Sequence, residues 1–373
     1  MVNEKRMRET FEELVRIYAP SKGERDVCDL LKKKLKVLGA AEIIEDNNGS
    51  VEGGDSGNLI AVFPANAEGL PSVALTAHMD CVECCRGIDP VLEDGVYRSR
   101  GETILGSDDK AGVAAILEGL ALMKENFIPH GKVTAIFTVQ EEIGLVGSKN
   151  IEEKYLQDID FGYTFDADGE AGHVFTAGPS HYAMKFTFHG KAAHAGMEPE
   201  KGLNAIAMAA KAIASCPSGR IDEETTCNIG LIEGGSGTNI VPEKCIVKGE
   251  IRSYSHEKAT RCVEKVGNTF KKVAEKHGAE SELTCEVHLI AYETAKDSVP
   301  VKRFERVSKK LGLAGNLVET FGGSDNNSFA KNGIPGLVLS NGMYQAHSVN
   351  EYTTIKDLVT GAELIAGLIT DEQ

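Results

Sequence analysis

Four short apolar runs, separated by polar or helical segments, dominate the first half of the chain. They occupy residues 58–63, 72–77, 133–139 and 162–165, and an Ala- and Leu-rich stretch at 109–123 has the composition of a helix between two of them. Strands that alternate with helices predict an α/β layer with a largely parallel sheet. Because 373 residues exceed what one ordinary hydrophobic core holds, we expect two domains.

The pattern of predicted elements changes near residue 180. A strand, a helix, two strands, a helix and a strand follow, which is the order of the split βαβ, ferredoxin-like motif. These elements are predicted at 181–189, 202–214, 226–232, 244–252, 256–276 and 283–291. Alternating helices and strands return after residue 300. We therefore predict one α/β domain made of residues 1–178 and 294–373, interrupted by an α+β domain at 179–293.

Charge and cysteine content narrow the class of protein. The formal net charge is −16, and an acidic surface of this kind repels nucleic-acid phosphates and anionic lipid. The nine cysteines are odd in number and irregularly spaced, which argues against a disulfide framework. No run approaches the 18 apolar residues of a membrane span, and the N-terminal segment has no apolar signal core. We expect a cytoplasmic protein with neither nucleic-acid nor membrane partners.

Acids and histidines cluster where the predicted strands end. The motifs are His78-Met79-Asp80, Asp108-Asp109, Gln140-Glu141-Glu142, Asp166-Ala167-Asp168 and, in a C-terminal loop, His347. Ligands of α/β sheets bind at the carboxyl ends of the strands, so these side chains are expected at one edge of the sheet.

Each motif by itself also has a purely structural interpretation. His78 and Asp80 fit a partly buried histidine beside a turn, and an aspartate before a helix fits an N-cap. Only one of the adjacent Asp108 and Asp109 can cap the helix, which leaves the other free to bind a cation. Taken together, two histidines and three carboxylates suffice for two cations. Nitrogen and oxygen ligands without cysteine suit zinc, with cobalt or manganese as alternatives, in a catalytic site.

The motifs, in this order, resemble the M20 family of dinuclear zinc exopeptidases and deacylases. The matching stretches are TAHMD, GSDDKAG, QEEIG, TFDADG and QAHSVNEY, together with GKAAHAG and GEIR in the predicted insert and GGSDN after it. They are spread over nearly the whole chain. The resemblance implies a zinc-exopeptidase α/β domain, an inserted domain that forms a homodimer, and two zinc ions per subunit.

Roles for individual residues follow from the resemblance. The implied metal ligands are His78, Asp108, Glu142, Asp166 and His347. Among them, Asp108 would bridge both ions, while Asp168 is the alternative to Asp166. Glu141 would be the general base, and Asp80 would orient His78.

The resemblance also implies a set of substrate-binding residues. His194 would reach across from a partner subunit to stabilise the tetrahedral oxyanion. The residues expected to hold the substrate's carboxylate or backbone are Asn239, Arg252, Gly322, Gly323 and Ser324.

Within the family, the sequence motifs DDKAG, EEIG and GGSDNN are most similar to those of the peptidase T-like branch. That branch implies a tripeptide aminopeptidase that removes the N-terminal residue of short peptides. An N-acyl amino acid deacylase or carboxypeptidase with the same metal site is the alternative, and a catalytically inactive metal-binding homologue is another. The branch usually has Thr directly after Asp80, where this chain has Cys81, followed closely by Cys84 and Cys85. These three cysteines are either small buried side chains or a thiolate metal site.

Overall fold

A computed structural model describes residues 1–370 of the chain, apart from the side chains of Val51 and Glu52. The helices are α1 Glu4–Arg16, α2 Arg25–Leu38, α3 Ser107–Glu125, α4 Val146–Lys149, α5 Ala205–Ala214, α6 His256–Lys276, α7 Val299–Leu311, α8 Asn326–Lys331 and α9 Ile355–Thr370. The strands are β1 Glu42–Glu45, β2 Leu59–Phe63, β3 Val73–His78, β4 Pro90–Glu93, β5 Val96–Ser99, β6 Val133–Thr138, β7 Phe161–Asp168, β8 Val174–Gly178, β9 Ser180–His189, β10 Gly219–Arg220, β11 Thr225–Gly234, β12 Lys244–Ser253, β13 Glu280–Leu289, β14 Tyr292–Glu293, β15 Leu317–Glu319, β16 Gly336–Met343 and β17 Tyr352–Thr354.

The chain forms two compact units. The first contains Met1–Ala177, Thr294–Glu319 and the chain from Ser324 onward, and the second contains Gly178–Glu293 and Thr320–Gly323. The divisions near residues 178 and 294 lie beside the domain limits predicted from the sequence. The four residues Thr320–Gly323 differ from that prediction. Within the second unit, the carbonyl of Phe321 accepts a hydrogen bond from Arg252.

The first unit is built on a mixed, largely parallel sheet. Its strand order is β1-β2-β6-β3-β7-β16-β8, with β15 beside β8. The central pairs β6–β3, β3–β7 and β7–β16 are parallel, whereas β1–β2, β2–β6 and β16–β8 are antiparallel. Strands β3 and β6 are buried along their whole length, as the unbroken apolar runs predicted.

Helix α3 packs in the centre of the first unit. Almost every residue from Ser107 to Met123 is buried, and the helix contacts β3, α1 and α9. A helix with apolar residues on all sides is expected inside a protein rather than at its surface. This placement fixes the start of α3, with its pair of aspartates, beside the carboxyl ends of β3 and β7.

The second unit is an antiparallel sheet with two helices. Its strand order is β10-β11-β12-β9-β13; in the chain, α5 lies between β9 and β10, and α6 lies between β12 and β13. On β9, Tyr182, Met184, Phe186 and Phe188 are buried, so the alternating apolar positions face the helices. Both the α/β architecture and the ferredoxin-like order predicted from the sequence are confirmed.

Sequence periodicity missed a small three-stranded sheet, in which β5 pairs with both β4 and β17. Its strands have only three or four residues, too short for an alternating pattern. The turn from β4 to β5 does carry a local signal, because Asp94 and Gly95 both have positive φ, at 49° and 80°. Asp-Gly is a preferred pair for such a hairpin turn. Among the described residues, no helix is both long and apolar enough to cross a bilayer.

Candidate metal centre and active site

The predicted ligand residues of the first unit meet at one edge of its sheet. His78 is the last residue of β3, Asp166 lies near the end of β7, and Glu142 follows β6 by four residues. Because these three strands are parallel neighbours, their carboxyl ends lie side by side. Asp108 joins them from the first turn of α3, and His347 comes from the loop after β16.

Asp108 lies between the two histidines. Its Oδ1 is 3.0 Å from Nε2 of His78, and its Oδ2 is 3.1 Å from Nε2 of His347. Nε2 of His347 also lies 3.0 Å from Oε2 of Glu142, and Nε2 of His78 lies 3.7 Å from Oδ1 of Asp166. One carboxylate therefore has one oxygen facing each half of the cluster, which is the arrangement that a bridging ligand needs.

Two triads have ligand atoms close enough to hold a metal ion. In His78–Asp108–Glu142 and in His78–Asp109–Asp166, one atom from each residue lies within 4.8 Å of the others. Neither triad contains a cysteine: Cys81 and Cys85 are buried, and Cys84 is exposed. Cys81 and Cys85 therefore fit small packed side chains better than a thiolate site, whereas Cys84 lies at the surface.

The structure distinguishes between the two members of each aspartate pair. Asp109 is fully buried, and its carboxylate accepts hydrogen bonds from the backbone N–H groups of Gly112 at 3.0 Å and His78 at 3.3 Å. Asp109 thus secures the start of α3 and also belongs to the triad with Asp166, while Asp108 faces both histidines. At the end of β7, Asp166 joins the cluster and the side chain of Asp168 is exposed.

The electrostatics of the cluster favour a bound cation. Burial raises the pKa of Asp109, Glu141 and Asp166 well above their usual values, and neighbouring carboxylates add to the rise. Hydrogen bonds with Asp108 and Glu142 raise the pKa of His347 to about 10. So many acids in one place attract positive charge, and imidazole and carboxylate groups are the donors that catalytic zinc takes. The side chains present fit a metal centre.

Asp80 connects His78 to the two glutamates. It is fully buried, and its Oδ1 lies 3.4 Å from Nδ1 of His78. The same carboxylate accepts hydrogen bonds from the backbone N–H groups of Glu141 at 3.0 Å and Glu142 at 3.2 Å, and from the hydroxyl of Ser21 at 2.6 Å. Asp80 therefore holds the ring of His78 and the turn that carries both glutamates in one relative position.

The predicted substrate residues are divided between the two units. His194 and Asn239 are exposed in the second unit, where the backbone of Ala195 donates to the carbonyl of Asn239 at 2.9 Å. Arg252 is half-buried there; its guanidinium contacts the carboxylate of Glu250 and donates to the carbonyl of Phe321 at 2.8 Å.

The predicted substrate-binding loop at residues 322–324 contains a point in the sequence at which the chain passes from one unit to the other. Gly322 and Gly323 belong to the second unit, and Ser324 belongs to the first. Ser324 is buried, and its hydroxyl accepts a hydrogen bond from the backbone N–H of Asn326 at 3.3 Å.

Comparison with known proteins agrees with this geometry. Residues 180–278 match the peptidase dimerisation domain of M20 type, and residues 91–178 match the M42 glutamyl aminopeptidase family. The crystal structure of aminopeptidase PepT from Bacillus cereus ATCC 10987 is 39% identical, covers 99% of this chain and 98% of its own, and superposes with a TM-score of 0.95. The chain belongs to the M20 peptidase family, in its peptidase T-like branch.

Two other relatives support the same branch. A tripeptidase from Staphylococcus aureus is 36% identical, with a TM-score of 0.96 and coverage of 99% of this chain and 98% of its own. Peptidase T of Staphylococcus carnosus is 26% identical over 92% of this chain and 90% of its own length. The family predicted from the five ordered motifs is confirmed.

Glu351 lies in the motif QAHSVNEY of this M20 peptidase, and the sequence alone did not predict its role. Glu351 is buried and accepts four hydrogen bonds, all from residues 105–108. The donors are the backbone N–H groups of Leu105 at 2.7 Å, Gly106 at 2.7 Å and Asp108 at 3.0 Å, and the hydroxyl of Ser107 at 2.6 Å. Glu351 thus fixes the loop that presents Asp108. Its only signal in the sequence is its position four residues after His347.

A second missed residue is Lys110, which is fully buried. Its ammonium group donates to the carbonyls of Met79 at 2.5 Å and Asp80 at 3.3 Å, and lies 3.1 Å from the sulfur of Cys81. Lys110 therefore ties the start of α3 to the turn after β3. The motif DDKAG contained this residue, but its contact with the His78–Asp80 segment depends on the fold.

Proposed function

We propose that this M20 peptidase is a metallo-aminopeptidase that removes the N-terminal residue from short peptides, with tripeptides as the main substrates. The observation that carries the proposal is the carboxylate of Asp108, which has one oxygen about 3 Å from each of two histidines. The relatives with 39% and 36% identity, described as an aminopeptidase and a tripeptidase, support the substrate class.

The proposed centre holds two zinc ions per subunit, with cobalt or manganese as alternatives. Asp108 would bridge the ions, with His78 and Asp166 on one side and Glu142 and His347 on the other. The distances from the histidines to the carboxylates support this division. Bound metal of this kind polarises a carbonyl oxygen and lowers the pKa of water.

Glu141 is the proposed general base. Its backbone is held by Asp80, it is half-buried beside the ligand Glu142, and its raised pKa favours proton uptake. In the proposed mechanism Glu141 takes a proton from the attacking water and returns it to the leaving amine. Asp80 keeps His78 and Glu141 in a fixed relation during these steps.

The residues proposed for substrate binding are those that the family resemblance implies. We propose that Arg252, Asn239, Gly322, Gly323 and Ser324 hold the peptide's carboxylate and backbone. Arginine suits a carboxylate because its planar fork binds two oxygens.

We further propose a homodimer in which His194 stabilises the oxyanion in the other subunit. The match of residues 180–278 to a peptidase dimerisation domain and the exposure of His194 support this assembly. Light scattering on the purified protein should give twice the subunit mass; a monomer that is fully active would exclude the proposed role of His194. The cytoplasmic location stays a prediction from the cysteine pattern.

The proposed activity is tested with a free tripeptide and its N-acetylated form, analysed by mass spectrometry with zinc-loaded enzyme. We expect only the free tripeptide to lose its first residue, and a chelator to stop the reaction. Preference for the acetylated peptide would instead support the deacylase or carboxypeptidase alternative. Absence of turnover on both peptides would support the inactive homologue.

The role of Glu141 is tested separately by Glu141→Ala. This variant should keep its metal content and lose turnover by roughly a hundredfold or more. Glu152→Ala is the matched control, because Glu152 is an exposed acid whose ion pair, among the described residues, is with Lys154. Near-normal turnover by Glu141→Ala would remove this residue from its proposed role.

A further inference from the structure

A row of basic side chains crosses the sheet of the second unit. In the strand register Arg220 is opposite Thr226, Thr226 is opposite Arg252, and Arg252 is opposite His181. Residues directly opposite each other in a sheet project from the same face. Since Ile251 and Tyr182, the neighbours of Arg252 and His181, are buried against the helices, the row lies on the other face of the sheet.

The two guanidinium groups of this row converge on one residue. Arg252 donates through Nη1 to the carbonyl oxygen of Phe321 at 2.8 Å, and the Cζ atom of Arg220 lies 4.7 Å from the centroid of the Phe321 ring. Tyr254 packs on the same ring, with a centroid distance of 4.5 Å. Phe321 directly precedes Gly322 and Gly323, the glycines proposed to bind substrate.

Arg252 is positioned by its neighbours and keeps unused hydrogen-bonding capacity. Its Nε and Nη2 contact the carboxylate of Glu250 at 3.2 and 3.3 Å, and Glu250 also lies 3.0 Å from Nε2 of His181. With the bond to Phe321, these contacts use three of the five N–H donors of a guanidinium. Two donors of Arg252 remain for a ligand.

The guanidinium group of Arg220 has even more unused hydrogen-bonding capacity than that of Arg252. The side chain is exposed, and its one hydrogen bond, among those of the described residues, is a 3.3 Å contact with the carbonyl of Glu223. A ring contact holds the guanidinium in place without using its donors. The two guanidinium groups therefore lie on the same face of the sheet, and both keep N–H donors available for an anionic ligand.

We propose that Arg220 and Arg252 together form a two-guanidinium subsite that selects peptides ending in an acidic residue. This proposal rests on the proposed aminopeptidase function. Arg252 binds the α-carboxylate of the peptide, and Arg220 binds the side-chain carboxylate of a C-terminal Asp or Glu. The two arginines are two strands apart, which separates their Cα atoms by about 10 Å. Two long arginine side chains can cover this distance with a residue that carries two carboxylates between them. Nothing in the resemblance assigns a role to Arg220.

The test compares Ala-Ala-Glu with Ala-Ala-Gln, which differ only in the charge of the last side chain. We expect a kcat/KM about fivefold higher for the peptide ending in Glu, since one exposed charge-assisted contact distinguishes the two. The ratio should fall as salt is added, because exposed charges are screened. Arg220→Met keeps the apolar stem against Phe321 and should bring the ratio close to one.

Arg261→Met is the matched control. Arg261 is an exposed arginine of the same unit, it lies on α6 and it pairs with Glu257. This variant should keep the wild-type ratio. A wild-type ratio near one, or an unchanged ratio in Arg220→Met, would overturn the proposal.

Equilibrium binding separates the subsite from the proposed function. Dissociation constants of both peptides are measured on Glu141→Ala, which is expected to bind without turnover. Tighter binding of Ala-Ala-Glu that is abolished by adding Arg220→Met supports the subsite. If the wild-type protein cleaves neither peptide, that result refutes only the proposed function, and the binding result still supports the subsite. Equal dissociation constants for the two peptides refute the subsite.

Discussion

Replacing Glu351 by Gln should weaken both the fold and the metal centre. Each carboxylate oxygen of Glu351 accepts two hydrogen bonds: Oε2 from the N–H groups of Leu105 and Gly106, and Oε1 from Ser107 and the N–H of Asp108. An amide NH₂ cannot accept either pair. The least damaging orientation places it beside Ser107, whose hydroxyl can turn to accept, and leaves the buried N–H of Asp108 without an acceptor.

The magnitude follows from these contacts. One unpaired buried donor costs about 1–3 kcal/mol, and the remaining bonds lose the strengthening that a charged acceptor provides. Burial raises the pKa of Glu351, which means that its charge is itself costly and that Gln removes this cost. We therefore expect a loss of about 2 kcal/mol in the free energy of unfolding, measured by urea denaturation of the metal-free protein.

Metal affinity distinguishes positioning from simple stabilisation. If residues 105–108 hold the carboxylate of Asp108 in place, Glu351→Gln should bind zinc roughly 10–100-fold more weakly, measured by competition with a chromophoric chelator. Glu170→Gln is the control, since Glu170 is exposed and its ion pair within the described part of the chain is with Lys356. Unchanged zinc affinity in a destabilised Glu351→Gln would refute the positioning role. Unchanged stability would refute the hydrogen-bond reasoning.

Two further predictions concern packing and charge in the first unit. Gly112→Ala should lower the free energy of unfolding by about 1–3 kcal/mol in a urea titration, because the new Cβ would lie 2.4 Å from the carboxylate of Asp109. Glu45→Gln should lower it by about 2 kcal/mol at pH 6, because the hydrogen bond with Arg25 reduces the pKa of Glu45 from 4.5 to about 2. A group with a lowered pKa stabilises the fold above pH 4.5, so the difference between wild type and Glu45→Gln should shrink as the pH falls from 4.5 towards 2. Glu42→Gln, at an exposed position on the same strand, is the matched control.

Each of these two predictions has a clear contrary result. The new Cβ would also lie 2.5 Å from the carbonyl oxygen of Phe165 on β7, so wild-type stability in Gly112→Ala would mean that α3 and β7 move apart without cost. A constant difference in unfolding free energy between wild type and Glu45→Gln, from pH 6 down to pH 3, would mean that the ion pair does not account for the stabilisation.

The sequence by itself determined the elements and the ligand types. Unbroken apolar runs predicted β3 and β6, because a strand buried on both faces needs no alternation. The Ala- and Leu-rich stretch of α3 predicted a helix, and the acids and histidines after the strands predicted a cation site at the sheet edge. These inferences succeed because they depend on local composition and on one general rule for parallel sheets.

Only the tertiary structure decided what surrounds each member of an adjacent polar pair. Asp108 and Asp109 are adjacent and chemically identical. They differ because the backbone N–H groups of Gly112 and His78 donate hydrogen bonds to the carboxylate of Asp109. Glu351 acts on residues more than 240 positions earlier in the chain. Arg220 joins Arg252 through strand register and through Phe321. Contacts of this kind depend on how distant segments pack, and no local pattern in a single sequence records that packing.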